Sequence, residues 1–241
     1  MNNTVILYFI IGALQVFGCY LGGTEGSNET LVLVLRDALK WVLMPLLALF
    51  YYQNIAKPIS AFHKKMFLAI FFSWLGDVFL IFATPQNPNF FLAGLVSFLI
   101  AHVMYVVTFL QVGEKNEEVS FTSKLFLAIP LIVYMGVLLS LLVPSFLNNE
   151  EAKPLLVPVL IYSTVIFTMV IMAINRLGRV NRESFMWTLG GALLFMISDS
   201  FIALSTFKKD MTIPYASVWI MILYITGQFL IAKGILKQGK A

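Results

Sequence analysis

The sequence predicts an all-α membrane protein, a bundle of eight transmembrane helices that forms a single domain over residues 1–241. Hydrophobic residues make up 60% of the chain and charged residues only 12%, and the mean hydropathy is +0.89. This composition lies well outside that of soluble domains. Apolar runs of about 20 residues, the length that crosses about 30 Å of hydrocarbon as a helix, recur along the whole chain. No segment of about 50 residues or more remains between them for a soluble domain.

The eight predicted spans cover residues 5–23, 37–55, 61–83, 90–112, 122–143, 154–175, 184–206 and 213–235. Residues typical of turns connect them, such as Gly22-Gly23, Pro85-Gln86-Asn87-Pro88 and Leu147-Asn148-Asn149. The first run does not fit a signal peptide, because the four residues before it carry no Lys or Arg and Phe17 is too bulky for a cleavage site. Cys19, the single cysteine, is therefore expected to be a small buried hydrophobic residue.

The Lys and Arg residues fall on two sides of this predicted topology. Eleven lie on one side: Lys57, Lys64, Lys65, Lys115, Lys124, Arg176, Arg179, Arg182, Lys233, Lys237 and Lys240. Five lie on the other: Arg36, Lys40, Lys153, Lys208 and Lys209. The positive-inside rule then predicts that both termini are cytoplasmic. It also accounts for the net charge of +4, so we expect no nucleic-acid partner.

Two acidic residues lie well inside apolar runs, Asp77 in span three and Asp199 in span seven. An ionised Asp at the centre of a bilayer costs about 2.5–3.5 kcal/mol or more, so such residues usually serve a function. Each lies about seven residues, or about 10 Å, below the outer end of its span, in one layer with Lys40 and Pro45. We therefore expect a polar cavity in the outer half of the bundle. Two such acids favour acid–base chemistry, whereas the alternative is a structural role, such as an ion pair with Lys40.

Short motifs recur between the two halves of the chain. Lys40-x4-Pro45 in span two resembles Lys153-x4-Pro158 in span six, and Gly76-Asp77 in span three resembles Ser198-Asp199 in span seven. Four helices separate the members of each pair. An even number keeps the halves in the same orientation, so the pattern predicts two parallel four-helix repeats about an axis along the membrane normal.

Other polar residues lie on the same predicted helices. Gly94, Phe98, His102, Tyr105 and Phe109 share one face of span four, where a neighbouring helix can approach closely. His102 there is either a hydrogen-bonded packing residue or a catalyst, and the same alternatives hold for Tyr224 and Gln228 on span eight. The chain has two histidines and no motif typical of zinc hydrolases, serine hydrolases or phosphate-binding loops. We therefore expect neither a metal site nor a cofactor.

Five sets of residues together resemble a known family. They are Lys40 with Pro45; Gly76-Asp77; the span-four set from Gly94 to Phe109; Gly191-Ala192-x-Leu194-Phe195-x-x-Ser198-Asp199; and Tyr224-x-x-Gly227-Gln228-x-Leu230-Ile231. In this order they resemble the lysoplasmalogenase family, also called YhhN-like, over the chain from about Lys40 to Ile231. One departure is Trp41, where the family often has Pro directly after the lysine.

The resemblance implies an eight-span membrane hydrolase without a metal cofactor. Its substrate would be a lysoplasmalogen, a 1-alkenyl-glycerophosphocholine or -ethanolamine, cleaved at the vinyl ether to a fatty aldehyde and a glycerophospho-base. Protonation of the outer alkene carbon creates an oxocarbenium ion that water captures, so the reaction needs an acid and a carboxylate, as in a glycosidase. Asp77 and Asp199 are expected to be this catalytic pair, with the two roles unassigned. The expected substrate-binding or supporting residues are Lys40 for the lipid phosphate and His102, Tyr105, Ser198, Tyr224 and Gln228.

Two other classes of function fit the same composition. A proton-coupled transporter of small molecules or lipids also uses intramembrane acids, but it should contain broken helices. Only Pro45, Pro130 and Pro158 interrupt the predicted spans, and the two acid-bearing spans contain no proline. The other class is a structural or sensory membrane protein without turnover. We expect a multi-pass protein surrounded by membrane lipid, in the inner membrane of a bacterial cell.

Overall fold

The structure is a computed structural model that describes residues 3–24, 26–84, 87–112, 120–150 and 152–238. The regular secondary structure of these ranges is helical, apart from an isolated bridge between Thr84 and Asn87. Four residues used in the sequence analysis lie outside the described residues. They are Pro85, Gln86, Lys115 and Lys240.

The helices follow one another as predicted, with two short additions. They are α1 (Asn3–Leu21), α2 (Glu29–Val32) continued by a π-helix (Leu33–Ala38), α3 (Lys40–Gln53), α4 (Ala61–Ile81), α5 (Pro88–Leu110), α6 (Phe121–Leu147), a 3-10 turn (Lys153–Leu155) leading into α7 (Leu156–Asn175), α8 (Arg182–Phe207) and α9 (Ala216–Leu236). Helices α1 and α3 to α9 match the eight predicted spans, with ends that differ by no more than four residues. The sequence did not predict α2 and the π-helix.

Within the part of the chain that the structure describes, six helices are long and apolar enough to cross a membrane, namely α1 and α5 to α9. The chain is therefore a multi-pass membrane protein. Helix α3 has only 14 residues, and α4 carries Lys64, Lys65 and Asp77 within its 21 residues. Membrane crossing by these two helices stays a prediction.

Local sequence explains where several helices begin and how they pass their prolines. The side chain of Ser60 accepts from the backbone N–H of His63 at the start of α4, and Pro88 occupies the first turn of α5. Pro158 lies in the first turn of α7, where its missing N–H removes no helical bond. The expectation that Pro158 interrupts its span is therefore wrong. Helix α6 instead contains Pro144 besides Pro130 and extends beyond its predicted end.

Glycines bring the acid-bearing helices close to their neighbours. On α8, a Cβ at Gly191 would lie 2.6 Å from the carbonyl oxygen of Gly227 and 2.7 Å from the backbone nitrogen of Ile231 on α9. On α4, a Cβ at Gly76 would lie 2.6 Å from the ring of Phe98 on α5. Small residues at helix interfaces allow such approach in membranes. These contacts fix the rotation of α4 and α8, and therefore the direction in which Asp77 and Asp199 point.

The two halves of the chain pack in a similar way. In each half, consecutive long helices contact one another, and the closest pair is the last, α4 with α5 and α8 with α9. Across the halves, α5 contacts α7, and α9 contacts α1 and α3. The rotation that would superpose the halves stays a prediction.

Contacts at the ends of the helices define two ends of the bundle. Gln238 donates to the carbonyl of Gln111, and Asn181 donates to the carbonyl of Lys237, at what we call the Lys237 end. At the opposite end, the Lys208 end, Phe207 packs on Phe146 with ring centroids 4.5 Å apart. Among the described residues, the larger predicted group of Lys and Arg lies at the Lys237 end, and the smaller group lies at the Lys208 end. Which end faces the cytoplasm stays a prediction.

Candidate active site

Asp199 lies at the junction of three helices. The hydroxyl of Tyr162 on α7 donates to Oδ2 of Asp199 on α8. Nε2 of His102 on α5 lies 3.2 Å from the same oxygen and 2.9 Å from the Tyr162 hydroxyl. The His102 side chain is fully buried, whereas 9% of the Asp199 side chain is exposed. One carboxylate oxygen is therefore held by two partners, while Oδ1 accepts no hydrogen bond from the described residues.

Asp199 opens onto a cleft that encloses about 680 Å³ of empty space, including the space at its mouth. The cleft runs between α4, α5, α6, α7 and α8 toward Phe91 and Phe207 at the Lys208 end. Its walls are almost entirely apolar, with Asp199, Tyr162, Ser163 and Ser200 as the polar side chains. The hydroxyl of Ser200 is already bonded to the carbonyl of Met196. An apolar cleft with a few convergent polar groups is the usual form of a small-molecule site, and here it suits a chain-like apolar ligand.

Asp77 forms a separate cluster. Its Oδ2 accepts a hydrogen bond of 2.6 Å from the hydroxyl of Tyr224 on α9, and the residue is 5% exposed. It does not line the cleft of Asp199. Lys40 and Asp77 form no ion pair within 4.0 Å among the described residues. The expected alternative of a direct Lys40–Asp77 pair is therefore not what the structure contains.

Aromatic rings separate the two acidic clusters. The ring of Phe195 lies 5.3 Å from that of Tyr224 and 4.7 Å from that of His102, between centroids. Phe98 lies 6.0 Å from Tyr224 and also lines the cleft. Each acid has a partner on the last helix of the other half of the chain: Asp77 on α4 bonds to Tyr224 on α9, and Asp199 on α8 bonds to His102 on α5. The two carboxyl groups consequently belong to different hydrogen-bond networks.

The other residues predicted for the site are Tyr105, Gln228, Ser198 and Lys40, and none of them bonds to either acid. The hydroxyl of Tyr105 donates to Oε1 of Gln228, and both side chains are fully buried. Ser198 donates to the carbonyl of Ile220 at 2.9 Å and so ties α8 to α9. Lys40 is half-buried at the start of α3, near the Lys208 end. The described residues contain no group of three or more His, Cys, Asp or Glu that could hold a metal ion.

Tyr162 is the residue of this site that sequence reasoning missed. It is one of nine tyrosines and lies in an apolar run that carries no charged residue from 154 to 175. Its only distinctive neighbour in sequence is Pro158, one turn earlier. Its contact with Asp199 depends on how α7 packs on α8, which the spacing of residues does not reveal.

Comparisons with known proteins agree on one family. The model of the YhhN family matches residues 35–235. The chain is 31% identical to the protein named "Lysoplasmalogenase TMEM86A" of Bos taurus, over 70% of this chain and 63% of that protein. It is 27% identical to "Lysoplasmalogenase TMEM86B" of Homo sapiens, over 84% of this chain and 79% of that protein. It is 28% identical to "Lysoplasmalogenase homolog" of Dictyostelium discoideum, over 74% of this chain and 66% of that protein.

The matched region spans less than two thirds of the bovine and Dictyostelium relatives. No solved structure matches the chain significantly. The family model, by contrast, covers most of the chain and includes α3 to α9, which carry both acidic clusters and the cleft. The chain belongs to the YhhN family.

Proposed function

We propose that the protein is a lysoplasmalogenase that hydrolyses the vinyl ether of 1-alkenyl-glycerophosphocholine or -ethanolamine. The observation that carries this proposal is the carboxyl group of Asp199, hydrogen-bonded to Tyr162 and His102 on the wall of an apolar cleft. The relatives named lysoplasmalogenase point to the same substrate class.

The chemistry of a vinyl ether matches what the cleft can supply. The substrate takes a proton at its outer alkene carbon, and the resulting oxocarbenium ion is captured by water. The hemiacetal then releases the aldehyde and returns the glycerol hydroxyl. An apolar cleft would hold the alkenyl chain and bring the ether next to Asp199, whose Oδ1 accepts no hydrogen bond from the residues that the structure describes. A carboxylate beside an oxocarbenium-like centre stabilises its positive charge, as in glycosidases.

Asp77 is proposed as the second member of the catalytic pair, which a substrate in the cleft would reach past Phe98. Phe98 lines the cleft on one side and lies against Gly76, the residue next to Asp77, on the other. A rotation of the Phe98 ring would open Asp77 to a bound substrate. We further propose that Lys40 binds the lipid phosphate, that Tyr105, Ser198, Tyr224 and Gln228 support the two acids, and that no metal or other cofactor takes part.

Aldehyde release tests this function directly. The purified protein, reconstituted in a bilayer, should release a fatty aldehyde from a lysoplasmalogen. It should not cleave the matching lysolipid in which an ester replaces the vinyl ether. Transfer of intact lysolipid across the bilayer without aldehyde would instead support the transporter alternative and contradict the proposal.

Tyr162→Phe should lower turnover by about 10- to 100-fold. The change removes only the hydroxyl that donates to Asp199, and hydrogen bonds to charged groups contribute about 1.5–3 kcal/mol. The measurement is kcat for aldehyde release beside the melting temperature. Tyr52→Phe is the matched control, since Tyr52 is exposed near the Lys237 end beside Lys57. Equal turnover in both variants would remove Tyr162 from the site.

The topology proposed from the sequence has eight membrane spans, cytoplasmic termini and a place in the inner membrane of a bacterial cell. Reporters of cytoplasmic location fused before residue 3 and after residue 238 should both be active, because the Lys237 end carries most of the Lys and Arg. A reporter inserted after Lys208 should be inactive. A cytoplasmic signal from that third position would refute the eight-span arrangement.

A further inference from the structure

A second concavity lies on the opposite end of the bundle from the cleft of Asp199. It is a groove between α1, α3 and α9 that encloses about 960 Å³, including the open space at its mouth. The lining residues that matter here are Phe9, Phe50, Phe229, Lys233 and Lys237. We call it the Lys233 groove. The proposed reaction makes no use of any of these residues.

Three aromatic rings form the apolar part of the Lys233 groove. The ring of Phe229 lies 4.9 Å from that of Phe9 and 5.3 Å from that of Phe50, between centroids. Tyr8 packs behind them, 6.0 Å from Phe229, and its hydroxyl is bonded to the carbonyl of Ile225. These contacts hold the rings in place from both sides. Phe9 is 40% exposed and Phe229 is half-buried, whereas Phe50 is buried beneath them, so Phe9 and Phe229 form the surface available to the hydrocarbon chains of neighbouring lipid.

Two lysines one helical turn apart stand at the rim of the groove, near the C-terminal end of α9. The ammonium group of Lys233 lies 3.8 Å above the ring of Trp187, and that of Lys237 lies 3.1 Å from the carboxylate of Glu183. The indole of Trp187 in turn donates to Glu183 at 3.4 Å. Each ammonium has three donor hydrogens, so donors remain for a further acceptor. Trp and Lys at this position are typical of the membrane–water interface.

We propose that the Lys233 groove binds an anionic phospholipid of the surrounding bilayer. The acyl chains would lie on the rings of Phe9 and Phe229, which Phe50 supports from below, and the phosphate would bind Lys233 and Lys237. The two lysines exceed the single charge of Glu183, so the rim is net positive and favours a negative head group. A zwitterionic lipid would bring its own cation to the same rim. The site is independent of the proposed hydrolase activity.

The test compares phosphatidylglycerol with phosphatidylcholine. The full-length protein is reconstituted in nanodiscs with mixtures of the two, and the lipid that stays bound after release into the gas phase is identified by native mass spectrometry. We expect retained phosphatidylglycerol and a melting temperature that rises with its mole fraction. Lys233→Gln/Lys237→Gln should weaken this binding by about 30-fold, which is about 1 kcal/mol for each lysine.

Two further variants separate a local site from a general charge effect. Lys208→Gln/Lys209→Gln removes the same charge from the opposite end and should leave retention unchanged. Lys233→Arg/Lys237→Arg keeps the charge and should retain the lipid. The proposal is overturned if the Gln variant of the groove retains phosphatidylglycerol like the wild type, or if phosphatidylcholine is retained equally well. A lipid-free dimer covering the groove would overturn it too.

Discussion

Replacing Asp199 by Asn is expected to lower the turnover of vinyl ether hydrolysis by about 10²–10⁴, the range for general acid–base groups. The amide keeps nearly the same volume and can still bond to Tyr162 and His102, so the protein should fold. Asp77→Asn should have an effect of similar size, because the reaction needs both a proton donor and a carboxylate. The double variant should be little worse than either single one, since the groups act as a unit.

A structural role for either acid gives the opposite pattern. An Asp that only holds Tyr224 or His102 in place should, when changed to Asn, lower the melting temperature and the yield but leave the remaining protein active. Aldehyde release and melting temperature are therefore measured on the same preparations. Full activity of the Asp77→Asn protein would leave Asp199 as the only acid of the mechanism. Full activity of the Asp199→Asn protein would exclude the cleft as the reaction site.

Gly191→Ala is expected to destabilise the bundle by about 1–3 kcal/mol, the usual cost of overpacking. The new Cβ would lie 2.6 Å from the carbonyl oxygen of Gly227 and 2.7 Å from the nitrogen of Ile231. Both atoms belong to the backbone of α9, so a side-chain rotation cannot relieve the clash and the two helices must separate. The measurement is the melting temperature in detergent together with the folded yield.

The adjacent glycine provides the control for this prediction. A Cβ at Gly190 would meet only the Cδ1 atom of Leu230, at 3.9 Å, which is an ordinary contact. Gly190→Ala should therefore be neutral or stabilising by up to about 1 kcal/mol, because alanine favours the helix more than glycine does. Equal melting temperatures for the two variants would show that α8 and α9 are not held as closely as the structure has them.

The positions of the long helices could be predicted because an apolar run of sufficient length has few alternatives in a bilayer. Spans 61–83 and 184–206 became α4 and α8 with shifts of at most two residues at either end. The π-helix at Leu33–Ala38 could not be predicted, because its residues, which include Arg36 and Asp37, carry no pattern that distinguishes a π-helix from a turn. Pro158 was placed in the correct span, but its harmless position in the first turn depends on where α7 begins.

The sequence predicted most residues of the candidate site, but it did not predict how their side chains are arranged. Depth along a helix follows from counting residues, and it placed Asp77 and Asp199 in one layer. The direction in which each carboxyl group points depends on the rotation of its helix. Gly76 and Gly191 set this rotation through close contacts with α5 and α9. Counting therefore could not show that only Asp199 lines the cleft.

The apolar walls of the cleft also determine how a substrate would be supplied. A single-chain lipid that binds between α5, α6, α7 and α8 would arrive by diffusion in the plane of the bilayer rather than from water. The concentration that governs the rate is then the mole fraction of substrate among the membrane lipids. Adding inert phospholipid at a constant total amount of substrate should slow the proposed reaction by surface dilution, whereas changing the aqueous volume should have little effect.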